Sequence, residues 1–423
     1  MAVLLGCIAD DFTGATDLAS MLVRHGMATV QLIGVPADGV DPGDVQAVVV
    51  ALKSRTIPAD QAIDQSLAAL AWLRARGAKQ ILFKYCSTFD STERGNIGPV
   101  SEALLEALGA DFTIACPALP ENGRSIYQGH LFVGDRLLSD THMRHHPLTP
   151  MTDSNLVRVL QRQSKALVGL VPYPVVEQGP EAIRARFGEL RAEGARQAIA
   201  DAVSDRHLLA LGAAAVDLAL ITGGSGIAMG LPENFRRRGL LAAGAAADRL
   251  PPAPGLAAIL AGSCSAATLE QIERHRAAGR PAFVLDPVGL TDGGDDIARA
   301  LAFAEDHLAD GPILIGSSAP PDEVAEVQER LGRERAGAAI EAAMAEIARG
   351  LVAKGVRRLV IAGGETAGAV VAALGVEGLR IGPAIDPGVP WTTSLGDPPL
   401  ALALKSGNFG APDFFIKAFE CAP

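Results

Sequence analysis

The sequence predicts an α/β protein with two domains, each a largely parallel sheet flanked by helices, and an active site in the cleft between them. Three observations support this fold class. The chain has 423 residues, enough for two or three domains. Hydrophobic residues make up 49% of it but aromatic residues only 4%, which is typical of packed α/β layers. Short apolar runs alternate with amphipathic stretches, which favours strands joined by helical crossovers.

The first half of the chain carries a regular succession of predicted elements. Strands are predicted at residues 3–8, 29–33, 45–51, 80–83 and 112–116, and helices at residues 18–25, 60–76 and 100–108. After the last of these strands, Asn122-Gly123 indicates a β-hairpin, with residues 125–127 and 131–133 as its strands. Helices and strands then alternate as far as Ile221.

The best candidate for a domain boundary is the segment 241–255, which is rich in Ala, Gly and Pro. Pro-rich segments form semi-rigid linkers. We therefore predict an N-terminal domain at residues 1–240 and a C-terminal domain at residues 256–423. Strands of the C-terminal domain are predicted at residues 257–260, 282–285, 313–315, 359–361 and 401–404. Its helices are predicted at residues 267–278, 322–354 and 412–419, and one more follows the loop 362–367 and ends at residue 374.

Composition excludes several classes of function. The net charge is −11 and basic residues are not clustered, so the chain is a poor binder of nucleic acid. Five cysteines without a C-x-x-C pair support neither a disulfide framework nor a zinc ribbon, and free thiols indicate the cytoplasm. No signal peptide is expected, and the apolar stretch 208–231 is too interrupted for a membrane span. Histidines at 142, 145 and 146 match no standard metal-ligand spacing and are expected at the surface.

The loops that follow the predicted strands are of two kinds. Before the linker they carry charged and hydroxyl side chains, as in the segment 84–99, which suits a small hydroxylated anion. After the linker they are rich in Gly and Ser, at residues 262–265, 363–366 and 406–410. Glycine loops at helix starts bind phosphate, because the backbone can approach closely and free N–H groups point at the anion. The chain contains no Gly-Lys pair and so no Walker A motif.

This contrast predicts that one domain binds a hydroxylated acid and the other a polyphosphate, with phosphoryl transfer between them. Such a transfer needs a carboxylate that accepts the hydroxyl proton. Asp10 and Asp11, at the end of the first strand, are the candidates. The alternative is that they only cap the following helix, a role that Thr13, Thr16 or Asp17 could also take.

Motifs along the whole chain resemble the four-carbon acid sugar kinase family. They are the segments 8–17, 51–55, 83–92, 95–99, 117–120, 123–124, 150–155, 363–366, 387–391 and 404–410. The resemblance implies an N-terminal domain that binds a sugar acid and a C-terminal domain that binds ATP. It implies a carbohydrate kinase, a phosphotransferase with an alcohol group as acceptor. The implied reaction is phosphorylation of the 4-hydroxyl of a 3-oxo-tetronate in acid sugar catabolism.

Site residues follow partly from the resemblance and partly from charge and placement. By motif position, the resemblance assigns ATP contacts to Ser263, Gly363, Gly364, Glu365, Thr366 and Gly407. Charge and placement predict substrate contacts for Lys53, Ser54, Arg55, Lys84, Ser87, Thr88, Asp90, Arg94 and Arg124, beside the candidate catalytic residues Asp10 and Asp11. Mg²⁺ would bridge the phosphates, with Glu365 as a candidate to assist it.

Two alternatives stay open. The acceptor could be a reduced acid such as D-threonate or D-erythronate, because the two kinds of acid differ only at C3. The chain could also be a non-catalytic sugar-acid sensor whose Gly loops are only structural. The oligomeric state is equally open, with a homodimer as one option.

Overall fold

The computed structural model describes residues 3–146, 148–242, 247–291, 294–318, 326, 329–330 and 332–423. The chain divides into two compact units, Met1–Ala247 and Asp248–Pro423. The division lies inside the predicted linker 241–255, of which residues 243–246 lie outside the described ranges.

The N-terminal unit is built on a parallel sheet with one small additional sheet. Its strands are β1 (Leu5–Ala9), β2 (Thr29–Ile33), β3 (Ala47–Ala51), β4 (Gln80–Lys84), β5 (Thr113–Cys116), β6 (Arg124–Tyr127), β7 (His130–Val133), β8 (Arg136–Leu137), β9 (Leu167–Val171), β10 (Ala195–Ala200) and β11 (Leu220–Gly223). In the main sheet the order is β2-β3-β1-β4-β11-β5-β10-β9, and each neighbouring pair is parallel. The small antiparallel sheet has the order β6-β7-β8.

Helices form most of the connections between strands of the main sheet, as is usual for parallel strands, although the described segment between β2 and β3 contains no helix. They are α1 (Phe12–Arg24), α2 (Ala59–Ala75), α3 (Ile97–Leu108), α4 (Leu156–Gln163), α5 (Tyr173–Val176), α6 (Pro180–Ala192), α7 (Asp205–Ala214) and α8 (Leu231–Arg237). The strands β1, β3 and β4 are buried along their whole length, which explains their continuous apolar sequences.

The C-terminal unit has a mixed sheet. Its strands are β12 (Leu256–Ala261), β13 (Ala282–Val284), β14 (Ile313–Gly316), β15 (Val356–Ala362), β16 (Gly378–Asp386), β17 (Val389–Ser394) and β18 (Ala401–Lys405). The order is β13-β14-β12-β15-β18-β17-β16, parallel from β13 to β18, whereas β17 is antiparallel to both of its neighbours. The helices are α9 (Ala266–Ala277), α10 (Pro287–Thr291), α11 (Asp296–His307), α12 (Arg333–Ala353), α13 (Gly364–Ala373) and α14 (Phe414–Lys417).

The fold class is confirmed: both units are α/β, with sheets that are wholly or largely parallel. In each unit the next strands of the chain add to the sheet on one side of the first strand, and a later strand pairs with the opposite side of that first strand. Strands β3 and β4 therefore flank β1, and β14 and β15 flank β12. Ligands of parallel α/β sheets bind at such points, outside the carboxyl ends of the strands.

Three local predictions were wrong or incomplete. Helix α1 begins at Phe12 rather than residue 18, because the Asp11 side chain caps it by accepting from the Gly14 N–H. The strands β6 and β7 were predicted, but their turn is Gln128-Gly129, where both residues have positive φ, and not Asn122-Gly123. The hairpin β16–β17 was not predicted at all.

Part of the predicted helix 322–354 cannot be compared with the structure. Of this stretch, residues 322–325, 327–328 and 331 lie outside the described ranges. Residues 326, 329 and 330 are helical, but Gly332, with a φ of 81°, is not, and α12 begins after it at Arg333. No helix in the described ranges has both the length and the apolar character that a membrane span needs.

Candidate functional site

In the N-terminal unit, the carboxyl ends of β1, β3 and β4 bring together four of the predicted site residues. Arg55, just after β3, donates from Nε and Nη2 to the two carboxylate oxygens of Asp10, at 2.9 and 2.8 Å. The same Nη2 donates to Asp11 Oδ1 at 2.6 Å, and Nη1 lies 3.6 Å from Asp90 Oδ2. One guanidinium, from the loop after β3, therefore binds three carboxylates from two other loops, those after β1 and β4.

Asp10 is the most deeply buried of these carboxylates. Burial is the largest influence on its pKa and raises it, while the paired Arg55 opposes the rise. On Arg55, burial lowers the pKa, but attraction to Asp10 and Asp11 outweighs it, so the pKa of the guanidinium is raised and it stays charged. Both oxygens of Asp10 are occupied by Arg55, which makes this carboxylate an anchor for the guanidinium.

Asp11 differs from Asp10 in exposure and in its partners. Its side chain is 29% exposed, against 7% for Asp10 and 10% for Asp90. A Cβ at Gly14 would lie 2.3 Å from Asp11 Oδ1 and 2.9 Å from Lys84 Nζ, so only glycine lets these two groups lie so close to the helix start. Among the three carboxylates, Asp11 is the one most accessible to a ligand.

The segment after β4 is buried and conformationally strained. Lys84 is buried, and its Nζ donates to the Tyr85 carbonyl oxygen at 2.7 Å. Phe89 and Asp90 have φ angles of 66° and 47°, in the left-handed region that residues other than glycine rarely adopt. Thr88 Oγ1 donates to Asp90 Oδ1 at 2.7 Å and thereby fixes that carboxylate. Such strain persists where the surrounding structure imposes it, most often at functional sites.

Two residues that were not among the predicted site contacts hold this segment in place. Asn96 Nδ2 donates to the carbonyl oxygens of Ser54 at 2.8 Å, Ile57 at 2.9 Å and Arg55 at 3.3 Å, which ties the loop after β4 to the loop after β3. Gln163 of α4 donates to Ser91 Oγ at 2.9 Å. Neither contact has a local sequence signal, because each partner lies far along the chain.

Five other predicted substrate contacts are not drawn into the Arg55 cluster. Lys53 and Arg94 are exposed, Ser87 is half-buried, and the side chain of Ser54 is buried. Arg124 lies on β6 in the small sheet, where Nη1 donates to the Asn122 carbonyl oxygen. Their roles as substrate contacts stay predictions.

Cys86, between the charged residues of this segment, is a neutral group. Its Sγ lies 3.0 Å from Thr88 Oγ1, and burial raises the pKa of the thiol to about 11. A thiol with that pKa is protonated at neutral pH and is a poor nucleophile.

In the C-terminal unit, the loops after β12 and β15 pack closely through glycine. A Cβ at Gly262 would lie 2.1 Å from Thr366 Oγ1, and one at Gly363 would lie 3.2 Å from the Ser263 backbone nitrogen. Gly363 has a φ of 125°, which few residues other than glycine adopt. Helix α13 begins directly after it without a side-chain cap, with Glu365 exposed in the first turn. Its first N–H groups suit an anion.

The glycine-rich loop after β18 lies beside the loops after β12 and β15. A Cβ at Gly407 would lie 2.3 Å from Ser263 Oγ, so this turn packs directly against the loop after β12. The Gly407 carbonyl oxygen accepts from Ser265 Oγ at 2.6 Å and from Thr268 Oγ1 at 2.9 Å. The structure therefore brings the predicted ATP contacts of this unit into one place.

The predicted surface histidines need no ligand role. His142 and His145 are exposed, and His146 Nδ1 lies 2.9 Å from Thr149 Oγ1. Within the described ranges, no group of three or more His, Cys, Asp or Glu side chains could hold a metal ion.

Comparison with known proteins gives matches over both units. Residues 5–231 match a family model described as a sugar-binding N-terminal domain, and residues 258–415 match one described as a nucleotide-binding C-terminal domain. A protein of Cupriavidus necator named 3-oxo-tetronate kinase is 62% identical over 419 residues, which is 99% of this chain and 96% of the relative. A protein of the same name from Salmonella typhimurium is 46% identical over 98% of both chains.

Two solved structures are also similar over almost their whole length. A Salmonella typhimurium protein, provisionally described as a tRNA synthase, superposes with a TM-score of 0.90 at 45% identity and covers 98% of each chain. A Haemophilus influenzae protein assigned to the family model DUF1537 superposes with a TM-score of 0.87 at 44% identity, over 98% of this chain and 99% of the other.

Proposed function

The chain belongs to the four-carbon acid sugar kinase family, and from this membership we propose that it is an ATP-dependent kinase that phosphorylates the 4-hydroxyl of a 3-oxo-tetronate. The products are 3-oxo-tetronate 4-phosphate and ADP, and the reaction serves acid sugar catabolism. The observation that carries the proposal is that full-length relatives, 46–62% identical to this chain, are named 3-oxo-tetronate kinases.

We assign binding of the acid to the carboxyl ends of β1, β3 and β4. Lys84 supplies a buried positive charge beside Asp11, and Arg55 supplies the cation that the three carboxylates of the cluster contact. Asp90, fixed by Thr88, is suited to accept hydrogen bonds from sugar hydroxyls. The exposed Lys53 and Arg94 are free to turn toward a carboxylate and remain our candidates for that contact.

We assign the general base to Asp11 and the positioning of Arg55 to Asp10. In the transfer, the substrate 4-hydroxyl oxygen forms a bond to the γ-phosphorus of ATP while the bond from that phosphorus to the β-bridging oxygen breaks. The hydroxyl proton passes to an Asp11 carboxylate oxygen. The oxygens of both aspartates already accept hydrogen bonds, those of Asp11 from Arg55 and from the Gly14 N–H. Asp11 suits the role because its side chain is 29% exposed, against 7% for Asp10.

The loops of the C-terminal unit fit the phosphates of ATP. Gly262, Gly363 and Gly407 leave space that a Cβ would fill, and α13 offers free N–H groups at its start. Mg²⁺ neutralises phosphate charge when it is bound, and it is held mainly by phosphate oxygens and water in such sites. Glu365, exposed at the start of α13, is the side chain that we propose to assist it.

We also propose a cytoplasmic location, because all five cysteines are free thiols, which a reducing compartment maintains.

A coupled ADP assay tests the proposed reaction. Purified protein is mixed with Mg-ATP and, separately, with 3-oxo-tetronates, D-threonate and D-erythronate, the oxo acids being generated in situ because such acids decarboxylate. We expect turnover to be fastest on an oxo acid. Faster turnover on a reduced acid would move the assignment to that acid, and binding of acids without ADP release from any of them would favour a sensor.

Matched aspartate variants test the assignment of the base. Asp11→Asn should lower kcat by about 10²- to 10⁴-fold, the usual contribution of general base catalysis, while ATP binding is retained. Asp90→Asn serves as the control from the same cluster, with a smaller effect on kcat and a larger one on the KM for the acid. Full turnover of Asp11→Asn would place the base elsewhere, with Asp90 as the next candidate.

A further inference from the structure

Lys405, the last residue of β18, is a buried lysine whose ammonium group is fully engaged. It is 1% exposed. Its Nζ donates to Thr268 Oγ1 at 3.0 Å, to the Gly407 carbonyl oxygen at 3.0 Å and to the Ser406 carbonyl oxygen at 3.1 Å. An ammonium group has three hydrogens, and each has an acceptor here.

The Gly407 carbonyl oxygen accepts from three side chains, which is more than its two lone pairs accept in ordinary geometry. The donors are Ser265 Oγ at 2.6 Å, Thr268 Oγ1 at 2.9 Å and Lys405 Nζ at 3.0 Å. In a trans peptide, the carbonyl and the following N–H point in opposite directions. Anchoring this carbonyl toward α9 therefore turns the Asn408 N–H away from α9, and that N–H donates to no group in the described ranges.

The charge of Lys405 has no carboxylate partner in the part of the chain that the structure describes. Burial alone lowers its pKa, to about 8, and no neighbouring charge opposes this effect. The nearest aromatic ring, that of Phe415, has its centroid 6.0 Å from Nζ. A buried positive charge without a carboxylate is costly unless an anion binds near it.

We propose that Lys405 is a positioning residue for the phosphates of ATP, and that it holds the Gly407 turn so that the N–H groups of the turn face the bound anion. The inference rests on the proposed function, because it takes ATP as the ligand of this loop. Lys405 acts through the turn, since its own hydrogens are all donated to protein atoms. Its positive charge adds to the attraction of the turn for phosphate.

The test measures the binding of ATP, ADP and adenosine to folded variants by calorimetry. Lys405→Met keeps the length of the side chain but removes the charge and the donors. We expect its Kd for ATP and ADP to rise about tenfold or more, the scale of a lost charge-assisted hydrogen bond, with little change for adenosine. General distortion of the loop would weaken adenosine as well, so this comparison isolates the effect on the phosphates.

A second pair of variants keeps the test decisive if Lys405→Met does not fold. Thr268→Val removes the hydroxyl that links Lys405 to Gly407, whereas Thr268→Ser retains it. We expect Thr268→Val to weaken ATP binding selectively and Thr268→Ser to restore it. Lys354→Met, which loses only an exposed ion pair with Glu305, is the control and should bind ATP as the wild type does.

The outcomes separate this inference from the proposed function. If folded Lys405→Met or Thr268→Val binds ATP as tightly as the wild type, the positioning role is wrong, whatever the enzyme phosphorylates. If the wild type binds ATP but phosphorylates no acid, the proposed reaction fails while the positioning role stands on the binding data. If the wild type does not bind ATP, both are overturned.

Discussion

Arg55→Met should destabilise the N-terminal unit in a strongly pH-dependent way. The substitution keeps most of the aliphatic stem but removes the guanidinium that binds Asp10 through two hydrogen bonds. The Asp10 carboxylate, 7% exposed, is then buried without a cation at hydrogen-bond distance. Removing one partner of a buried ion pair costs about 3 to 5 kcal/mol of unfolding free energy.

The size of this penalty is limited by protonation of Asp10. A carboxyl with an ordinary pKa of 3.8 can be neutralised at a cost of about 4 kcal/mol at pH 7 and about 2 kcal/mol at pH 5. In the variant, burial raises the folded-state pKa of Asp10 and no guanidinium opposes it. The folded state then binds the proton more tightly than the unfolded chain, so the stability of the variant rises as the pH falls.

Urea unfolding at pH 7 and pH 5 measures the effect. The chain has two tryptophans, Trp72 in the N-terminal unit and Trp391 in the C-terminal unit, so a Trp391→Phe background reports the N-terminal unit alone. Arg24→Met is the matched control. Its ion pair with Glu121 is half-exposed, and its loss should cost about 1 kcal/mol or less at both pH values. An Arg55→Met penalty below about 1 kcal/mol, or one equal at both pH values, would refute the reasoning.

Three further outcomes are expected. Burial lowers the pKa of Lys405 to about 8 in the folded protein, whereas the unfolded chain keeps the ordinary lysine value of 10.5. As the pH rises between these values, the wild type should therefore gain about 3 kcal/mol of unfolding free energy relative to Lys405→Met. Unfolding followed by Trp391 fluorescence measures this gain. Gly407→Ala should weaken ATP binding, because its Cβ would lie 2.3 Å from Ser263 Oγ and must displace the turn, and unchanged affinity in calorimetry would contradict this. Asn96→Ala should raise the KM for the acid and leave the KM for ATP unchanged in steady-state kinetics, since its three hydrogen bonds hold only the acid-binding loops.

Much of the fold was predictable because its signals are local. The apolar run 80–83, for example, was predicted to be a strand and forms β4 in the structure. The polar residues lie in the loops that follow the strands, as predicted. The family resemblance is confirmed by the comparisons over both units. The start of α1 was misplaced because Thr13 and Gly14 are weak helix formers, and the Asp11 cap outweighs their propensity.

The missed hairpin β16–β17 shows the limit of pattern recognition. Gly388, with a φ of 78°, makes its turn, but prolines and glycines elsewhere in the segment obscure the alternation typical of strands. Trp391 on β17 is fully buried, and its Nε1 donates to the Ala418 carbonyl oxygen at 2.8 Å. These strands are stabilised by packing against distant residues, which a local pattern does not contain.

The sequence by itself determined which chemical groups this protein has and which loops carry them: paired aspartates and cations in the first half, glycines and serines in the second. Only the tertiary structure decided which groups meet. Arg55 binds Asp10 across 45 positions, and Lys405 reaches Thr268 across 137, because parallel strands place their carboxyl ends at the same edge of each sheet. For this reason a predicted ligand contact, Arg55, is bound by three carboxylates, and a lysine that the sequence left without a role lies buried beneath the turn that we assign to phosphate.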